Sequence, residues 1–284
     1  MDIIEDPRAL SALCHPWRFS GQHTVLVPTM GYFHAGHESL MRRGREMGDK
    51  LIVSLFVNPS QFGPNEDLAA YPRDFERDAE RAREIGADVL FAPQPSAMYS
   101  PGHAAWVEVP SLSGSLCGLS RPTHFRGVCT VVMKLFMLIL PTTALFGEKD
   151  WQQLTVLKRM ALDLNVPVSV RGLPTVREPD GLALSSRNAY LTPEERAMAP
   201  ALQQGLREAA RLLQGGERGV PALAAAVRRY WAENVPSGTE DYLEFIHPET
   251  LVSLDFIEDT ALAAAALRLG KARLIDNLLL HAPA

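Results

Sequence analysis

The chain has 284 residues, 46% of them hydrophobic and 21% charged, with a formal net charge of −5 and a pI near 5.9. That length supports a large core and suits two domains better than one. The acidic balance argues against a nucleic-acid partner, because such surfaces carry a basic excess.

Three cysteines, Cys14, Cys117 and Cys129, are far apart and form no CxxC pair, so a disulfide framework is not expected and a reducing compartment fits. The start, MDIIEDPRAL, is acidic and lacks a signal-peptide pattern. The longest greasy stretch, Val131 to Leu140, is interrupted by Lys134 and reaches about half of the roughly 20 residues a membrane helix needs. A cytoplasmic protein with no membrane partner is the expectation.

The first 175 residues alternate short apolar runs with helical patterns. Thr24–Pro28, Leu51–Asn58, Asp88–Pro93, Thr143–Phe146 and Pro167–Arg171 predict strands, and His37–Met47, Phe75–Ile85, Gly127–Leu140 and Asp150–Leu164 predict helices. Alternation of this kind implies crossover units and a parallel sheet covered on both faces. Ligands on such sheets bind at the carboxyl ends of the strands, near a switch point in strand order. Those ends carry Met30–His37, Asn58–Gln61 and Gly147–Lys149.

The pattern changes after Leu173. Pro174–Asn188 reads as loop, and Thr192-Pro193-Glu194-Glu195 is a helix start: Thr192 caps, Pro193 suits the first position and Glu195 completes a capping box. That helix is expected to run to about Leu213. A Gly215-Gly216 break and a second helix from Val220 to Asn234 follow. Of Tyr242–Ile246, Leu262–Leu269 and Arg273–Leu280, the last reads as a strand, whereas Ala261–Ala266 favours helix on propensity alone.

The stretch PTMGYFHAGHESL, Pro28 to Leu40, holds His34 and His37 three positions apart. Gly31 permits a tight turn, and Gly36 lets backbone approach a ligand closely. A helix starting near His37 points its free N–H groups and positive dipole end at the same place, which attracts phosphate. Metal binding is the weaker reading, since HxxH lacks the Glu of HExxH and has no evident third ligand. A turn with two solvated histidines is the bland alternative, but the strand–Gly–His–Gly–His–helix order favours phosphate. Neither GxxxxGK[ST] nor a GxGxxG after the first strand is present, so the P-loop and dinucleotide fingerprints are excluded.

Other stretches are ambiguous when read alone. In LFGEKDWQQL, Leu145 to Leu154, Lys149 can neutralise phosphate as a compact charge, while Asp150 and Gln153 equally suit a capping box. In GLALSSRNAYL, Ser185-Ser186-Arg187 offers donors to phosphate oxygens, though SSR alone more often marks a polar interdomain loop. In FVNPSQFGPNEDLAAYPRD, Asn58 and Gln61 leave a strand end as neutral polar groups beside a Pro- and Gly-rich loop of the kind that forms lids. RPTHFRG, Arg121–Gly127, reads as an arginine-rich turn before a greasy helix.

Taken together, PTMG-x-x-H-x-GH, SLFVNPSQF, YPRD, RPTHFRGV, FGEKDWQQL and GLALSSRN resemble the pantothenate synthetase (pantoate–β-alanine ligase) family across essentially the whole chain, in its order and approximate spacing. HxGH alone marks only the wider superfamily of HIGH-type nucleotidyl-transfer enzymes; the joint occurrence of FVNPSQF, GEKD-x-QQL and LSSRN is specific. The resemblance implies an α/β fold: a Rossmann-like parallel sheet with helices on both faces over residues 1–175, binding ATP and pantoate. A smaller α+β C-terminal domain, residues 176–284, is expected to cover the active site. It implies a homodimer, with ATP, Mg²⁺, pantoate and β-alanine.

By the same resemblance, Met30, Gly31, Tyr32, Phe33, His34, Ala35, Gly36 and His37 match the ATP-phosphate loop, with His37 the proton donor. Gln61 and Gln153 resemble the pair that holds pantoate, and Gln61 lies beside the β-alanine position. Gly147, Glu148, Lys149, Asp150 and Val176 match nucleotide contacts. Leu184, Ser185, Ser186 and Arg187 match the mobile loop over the phosphates. Phe33, Ala35 and Trp151 depart mildly from the usual residues without changing the spacing. Asp78 stands at an acidic position linked to the Mg²⁺ region, with Arg77 replacing an acidic neighbour, so no metal held firmly by the protein is expected.

The chemistry so implied is a two-step ligation through a pantoyl adenylate, releasing pyrophosphate and then AMP. A carboxylate is already an adequate nucleophile, consistent with the lack of a convincing triad. His34, His37, Lys149, Ser185, Ser186 and Arg187 would offset charge on the departing pyrophosphate, and the loops Pro59–Ala70 and Leu184–Asn188 are candidate lids. The alternatives are an HxGH nucleotidyltransferase acting on another small anionic substrate, which leaves the Gln61/Gln153 pair without a purpose, and a nucleotide-binding module without catalysis.

Overall fold

The computed structural model describes residues 1–64 and 66–283; Asn65, inside the expected Pro59–Ala70 loop, and the terminal Ala284 lie outside the described residues. The chain separates into two compact units, Met1–Glu148 with Gln152–Pro174, and Lys149–Trp151 with Thr175–Ala284.

The first unit is built on β1 (Asp2–Ile4), β2 (Thr24–Thr29), β3 (Lys50–Leu55), β4 (Val89–Phe91), β5 (Thr143–Gly147) and β6 (Ser169–Leu173). They form one parallel sheet in the order β1-β4-β3-β2-β5-β6. The chain proceeds from β2 outward to β3 and β4, then returns to the other side of β2 for β5. The switch point of this doubly wound sheet therefore lies between β2 and β5, where such sheets bind ligands. Val25, Val27, Leu51, Val53, Leu90 and Leu145 project from the strands into a core with Leu40, Met41, Ala79 and Ala82 from the helices. Strands buried on both faces need near-continuous apolar runs, which explains why they stand out in the sequence.

The first three helices of this unit are α1 (Pro7–Phe19), α2 (Ala35–Met47) and α3 (Phe75–Ile85), of which α2 and α3 bear on the site. The sequence reading omitted β1 and α1. The strand has three residues, too few for a period, but Asp6 accepts from the N–H of Ala9 with Pro7 opening the helix, an ordinary start signal. Helix α2 opens at Ala35 rather than near His37 because the His34 side chain is its N-cap.

The second unit carries a three-stranded antiparallel sheet, β7 (Thr239–Ile246), β8 (Thr260–Leu269) and β9 (Ala272–His281), with β8 central. The expected capping box at Thr192 and Glu195 is present, but the helix ends at Met198 and a new one, Ala201–Gln214, begins after Pro200. Proline cannot donate inside a continuous helix, which accounts for the break. Ala261–Ala266 is strand, against its helical propensity. Its Ala261, Ala263 and Ala265 pack with Leu202, Leu206 and Val227 of two helices. Small side chains let those helices lie close while β7 and β9 satisfy the β8 backbone on both edges, so tertiary pairing overrides propensity.

Asp88, just before β4, ties the α2 end to the sheet. It accepts from Arg45 at 2.7 Å, from the Leu51 N–H at 2.8 Å and from Lys50 at 3.4 Å. Burial pushes its carboxyl up, but the Leu51 bond and the two cations outweigh that and hold it below the usual range. The unfolded chain therefore takes up the proton first as pH falls. The stabilisation is complete above the unfolded value, about 3.9, and lost as pH drops through the folded one. Asp88→Asn should cost about 1–2 kcal/mol at pH 7, and denaturant titrations should show the gap to wild type shrinking at pH 3.

Candidate active site

The chain leaves β2 at Thr29 and reverses through a left-handed turn: Gly31 has φ +84° and Tyr32 φ +53°. Glycine adopts that conformation freely, but tyrosine does so at a cost that surroundings must impose. Asp78 from the first turn of α3 imposes it. One carboxylate oxygen accepts from the Tyr32 N–H, and the other from the Phe33 N–H at 2.7 Å. Neighbouring Arg77 donates to the Phe33 carbonyl and lies 5.0 Å over the Tyr32 ring. Burial pushes the Asp78 carboxyl up more strongly than the two N–H groups and Arg77 pull it down.

The loop then delivers the histidines. His34 Nδ1 accepts from the Gly36 N–H at 3.1 Å, and His37 Nδ1 accepts from the His34 N–H at 3.4 Å, a reciprocal cap on α2. The two rings lie 4.1 Å apart. A ring nitrogen that accepts from a backbone N–H carries no proton, so in the neutral rings the proton resides on Nε2. Both histidines are thereby arranged as Nε2 donors at the N-terminus of α2.

A second motif meets this loop. Beyond β3, Asn58 caps a single 3₁₀ turn, Pro59–Gln61. Gln61 is buried; its amide oxygen accepts from Asn58 at 3.2 Å, and its amide NH₂ donates to the Met30 sulfur at 2.8 Å. Asn58 also donates to the Gly127 carbonyl at 3.1 Å. The end of β3, Met30 at the head of the histidine loop and the RPTHFRG stretch are thus joined by hydrogen bonds.

At the end of β5, Gly147 and Glu148 lead to the helix Trp151–Asp163. Its adjacent glutamines differ in burial. Gln152 is buried and braces residues 112–117, accepting from the Cys117 N–H and donating to the Leu112 and Ser115 carbonyls. Gln153 is half-buried on another side of the helix, as the roughly 100° step between helical neighbours requires.

In the second unit, Val176 and Leu184 are held together, the Leu184 N–H donating to the Val176 carbonyl at 3.0 Å across an Arg177–Ala183 bridge. Arg177 grips buried Asp276 of β9 through two bonds of 2.6 and 2.8 Å. The next residue, Asn277, donates to the Lys149 carbonyl at 2.9 Å. Consecutive residues of one strand therefore fix both Lys149 and the start of the Leu184–Arg187 segment. Ser185 caps the turn Ser186–Tyr190 by accepting from the Arg187 N–H, and Ser186 is buried. Asp150 is exposed.

Sequence reasoning missed Asn58's bridging role and the Asp276–Asn277 anchor, whose partners are remote in sequence. Asp78 was marked for the metal region, but both its oxygens accept backbone N–H groups. Among the described residues, no group of three or more His, Cys, Asp or Glu is gathered to hold a metal, and no helix is long and apolar enough to cross a membrane. Burial raises the thiols of Cys14 and Cys129 to about 12, which leaves them inert as nucleophiles.

An open parallel sheet with imidazole and amide side chains gathered beyond the carboxyl ends of β2 and β3 has the ligand-binding arrangement of an α/β enzyme. Residues 2–279 match the family described as pantoate-beta-alanine ligase, and the chain belongs to that family. It is a ligase of pantothenate biosynthesis. The pantothenate synthetase of Nitratidesulfovibrio vulgaris (strain Miyazaki F) is 65% identical over 280 residues, covering 99% of each chain. That of Oleidesulfovibrio alaskensis is 62% identical over 280 residues, covering 99% of this chain and 100% of that one. Among solved structures, pantothenate synthetase from Thermus thermophilus has a TM-score of 0.93 at 45% identity, covering 98% of this chain and 99% of that one. Pantoate-beta-alanine ligase from Francisella tularensis, complexed with beta-gamma ATP and β-alanine, has a TM-score of 0.80 at 30% identity, covering 98% and 97%. This whole-chain likeness disfavours a nucleotidyltransferase of another specificity.

Asp78 holds the histidine loop rather than the fold at large. Asp78→Asn replaces a doubly accepting carboxylate with an amide that can accept on one side only. Losing a charged acceptor costs about 1.5–3 kcal/mol locally, so amide exchange at Tyr32 or Phe33 should accelerate by about ten- to a hundredfold. The melting point should change little, because the burial penalty on the ionised carboxyl disappears as well.

Proposed function

We propose that this ligase joins pantoate to β-alanine in two steps through a pantoyl adenylate. A pantoate carboxylate oxygen bonds to the α-phosphorus of ATP, and the bond from that phosphorus to the bridging oxygen of pyrophosphate breaks. The β-alanine amine then attacks the activated carbonyl carbon, the bond to AMP breaks, and the amine proton leaves to solvent. Support comes from the family match over residues 2–279 and from the Francisella tularensis relative, which carries beta-gamma ATP and β-alanine.

The observation that carries the reading is the histidine pair at the end of β2 and the start of α2, whose Nδ1 atoms accept from backbone and so place each neutral ring's proton on Nε2. Nucleophilic attack by a carboxylate needs no Ser or Cys; it needs donors where charge builds on the leaving pyrophosphate. In this reading His37, with His34, supplies such donors from the Met30–His37 loop. Lys149, Ser185, Ser186 and Arg187 serve the same charge, while Gly147, Glu148, Asp150, Val176 and Leu184 contact the nucleotide. Gln61 and Gln153 hold pantoate, with Gln61 also beside β-alanine. The donor set does not fit a protein-held metal, so Mg²⁺ is assigned to the ATP phosphates and no step is routed through it. A homodimer in the cytoplasm belongs to the same reading.

ATP–pyrophosphate exchange without β-alanine should depend on pantoate; its absence in folded protein would sink the adenylate. His37→Ala should lower that exchange by about 10²–10³, the usual effect of removing one charge-stabilising donor. Exchange at the wild-type rate in that variant would strike His37 from the catalytic set.

A further inference from the structure

Arg121, at the head of RPTHFRG, donates from Nε to Glu66 at 2.8 Å and from Nη2 to the other Glu66 oxygen. The same Nη2 donates to the Gln61 backbone carbonyl at 3.2 Å. His124 Nδ1 lies 2.9 Å from that carbonyl, and its Nε2 lies 3.2 Å from Arg121 Nη1. A carbonyl only accepts and a guanidinium only donates, so the ring carries its proton on Nδ1 and accepts at Nε2. The Gln61 carbonyl is thus gripped twice.

A third contact fixes the same turn from below. Gly127 is buried in the helix His124–Ile139, and a Cβ there would stand 2.4 Å from the Ser60 carbonyl oxygen and 2.7 Å from the Gln61 Cα. Real Cβ atoms do not come that close, so only glycine lets the helix touch the turn. Arg121 and Glu66 are each largely shielded, with 16% and 24% of their side chains exposed. Burial pushes the Glu66 carboxyl up, but the Arg121 hydrogen bond and charge outweigh it and hold it low.

We infer that Arg121, His124 and Gly127 are positioning residues that aim the Gln61 amide, with Glu66 locking Arg121 in place. Their motif thereby acts on the acid substrate without touching it. The inference rests on the reading of Gln61 as a pantoate ligand. Alignment errors of about an ångström can cost up to a hundredfold, which sets the scale of the effect.

The test is steady-state kinetics with pantoate and ATP varied separately, on Gln61→Ala, Arg121→Met and the double variant. Arg121→Met should raise the pantoate KM by about tenfold and leave the ATP KM near wild type. In the Gln61→Ala background, Arg121→Met should add nothing, because no amide remains to be aimed. Additive effects would mean Arg121 acts directly on a substrate and would overturn the inference, as would an unchanged pantoate KM in Arg121→Met. A normal pantoate KM in Gln61→Ala would overturn the reading of Gln61 itself, and the inference with it. Should Arg121→Met fold poorly, His124 decides the matter. His124→Asn keeps a donor at the Nδ1 position and should retain pantoate affinity that His124→Ala loses; equal behaviour of the two would count against it.

Discussion

Where β2 ends, the chain must turn back toward α2 within a few residues, and every N–H in that turn loses the partner that a strand or helix would provide. Buried N–H groups left without acceptors are costly, so the turn exists only if side chains accept from it. Thr29 Oγ1 accepts from Gly31, Asp78 from Tyr32 and Phe33, His37 from His34 and His34 from Gly36. Four side chains are thus engaged in satisfying this one set of backbone donors. The strained Tyr32 is the residue that the arrangement over-determines, and the histidine geometry follows from it.

This explains which parts were legible in the sequence. Strands buried on both faces print their apolar runs directly, and α3 and the Val220–Asn234 helix carry clean boundaries, so the sheet and the residues at its carboxyl ends could be read. The Ala261–Ala266 strand could not, because its choice depends on β7, β9 and two helices that lie elsewhere in the chain. Asp78 illustrates the same limit at the site. An acidic residue near phosphate chemistry suggests a cation, and only the fold reveals that its two oxygens face backbone. Gln152 and Gln153 differ in burial through helical phase, a distinction visible in a sequence only once the buried face is known.

The second unit uses a comparable device with different parts. Asp276 and Asn277 alternate across β9, one turned to Arg177 and the other to the Lys149 carbonyl. Alternation of side chains along a strand thus lets adjacent positions secure two segments that the sequence separates widely. A buried carboxylate is stable only when paired, and a bidentate guanidinium is the pairing that leaves fewest lone pairs unsatisfied. The rigidity this confers falls on Val176 and Leu184, and on Lys149.

Imidazole is the side chain this loop requires, and the reason is its two edges. His34 accepts the Gly36 N–H at the start of α2 through Nδ1 and, when neutral, keeps its ring proton on Nε2. Lysine or arginine offers charge but has no lone pair for the cap, and serine or aspartate caps well but offers no long-range donor. A histidine does both at once, with the backbone choosing which nitrogen keeps the proton. His124 makes the converse case: facing a carbonyl, it carries its proton on Nδ1 instead. The same residue type therefore takes opposite tautomers a short distance apart in function, each dictated by whether the backbone atom it meets donates or accepts.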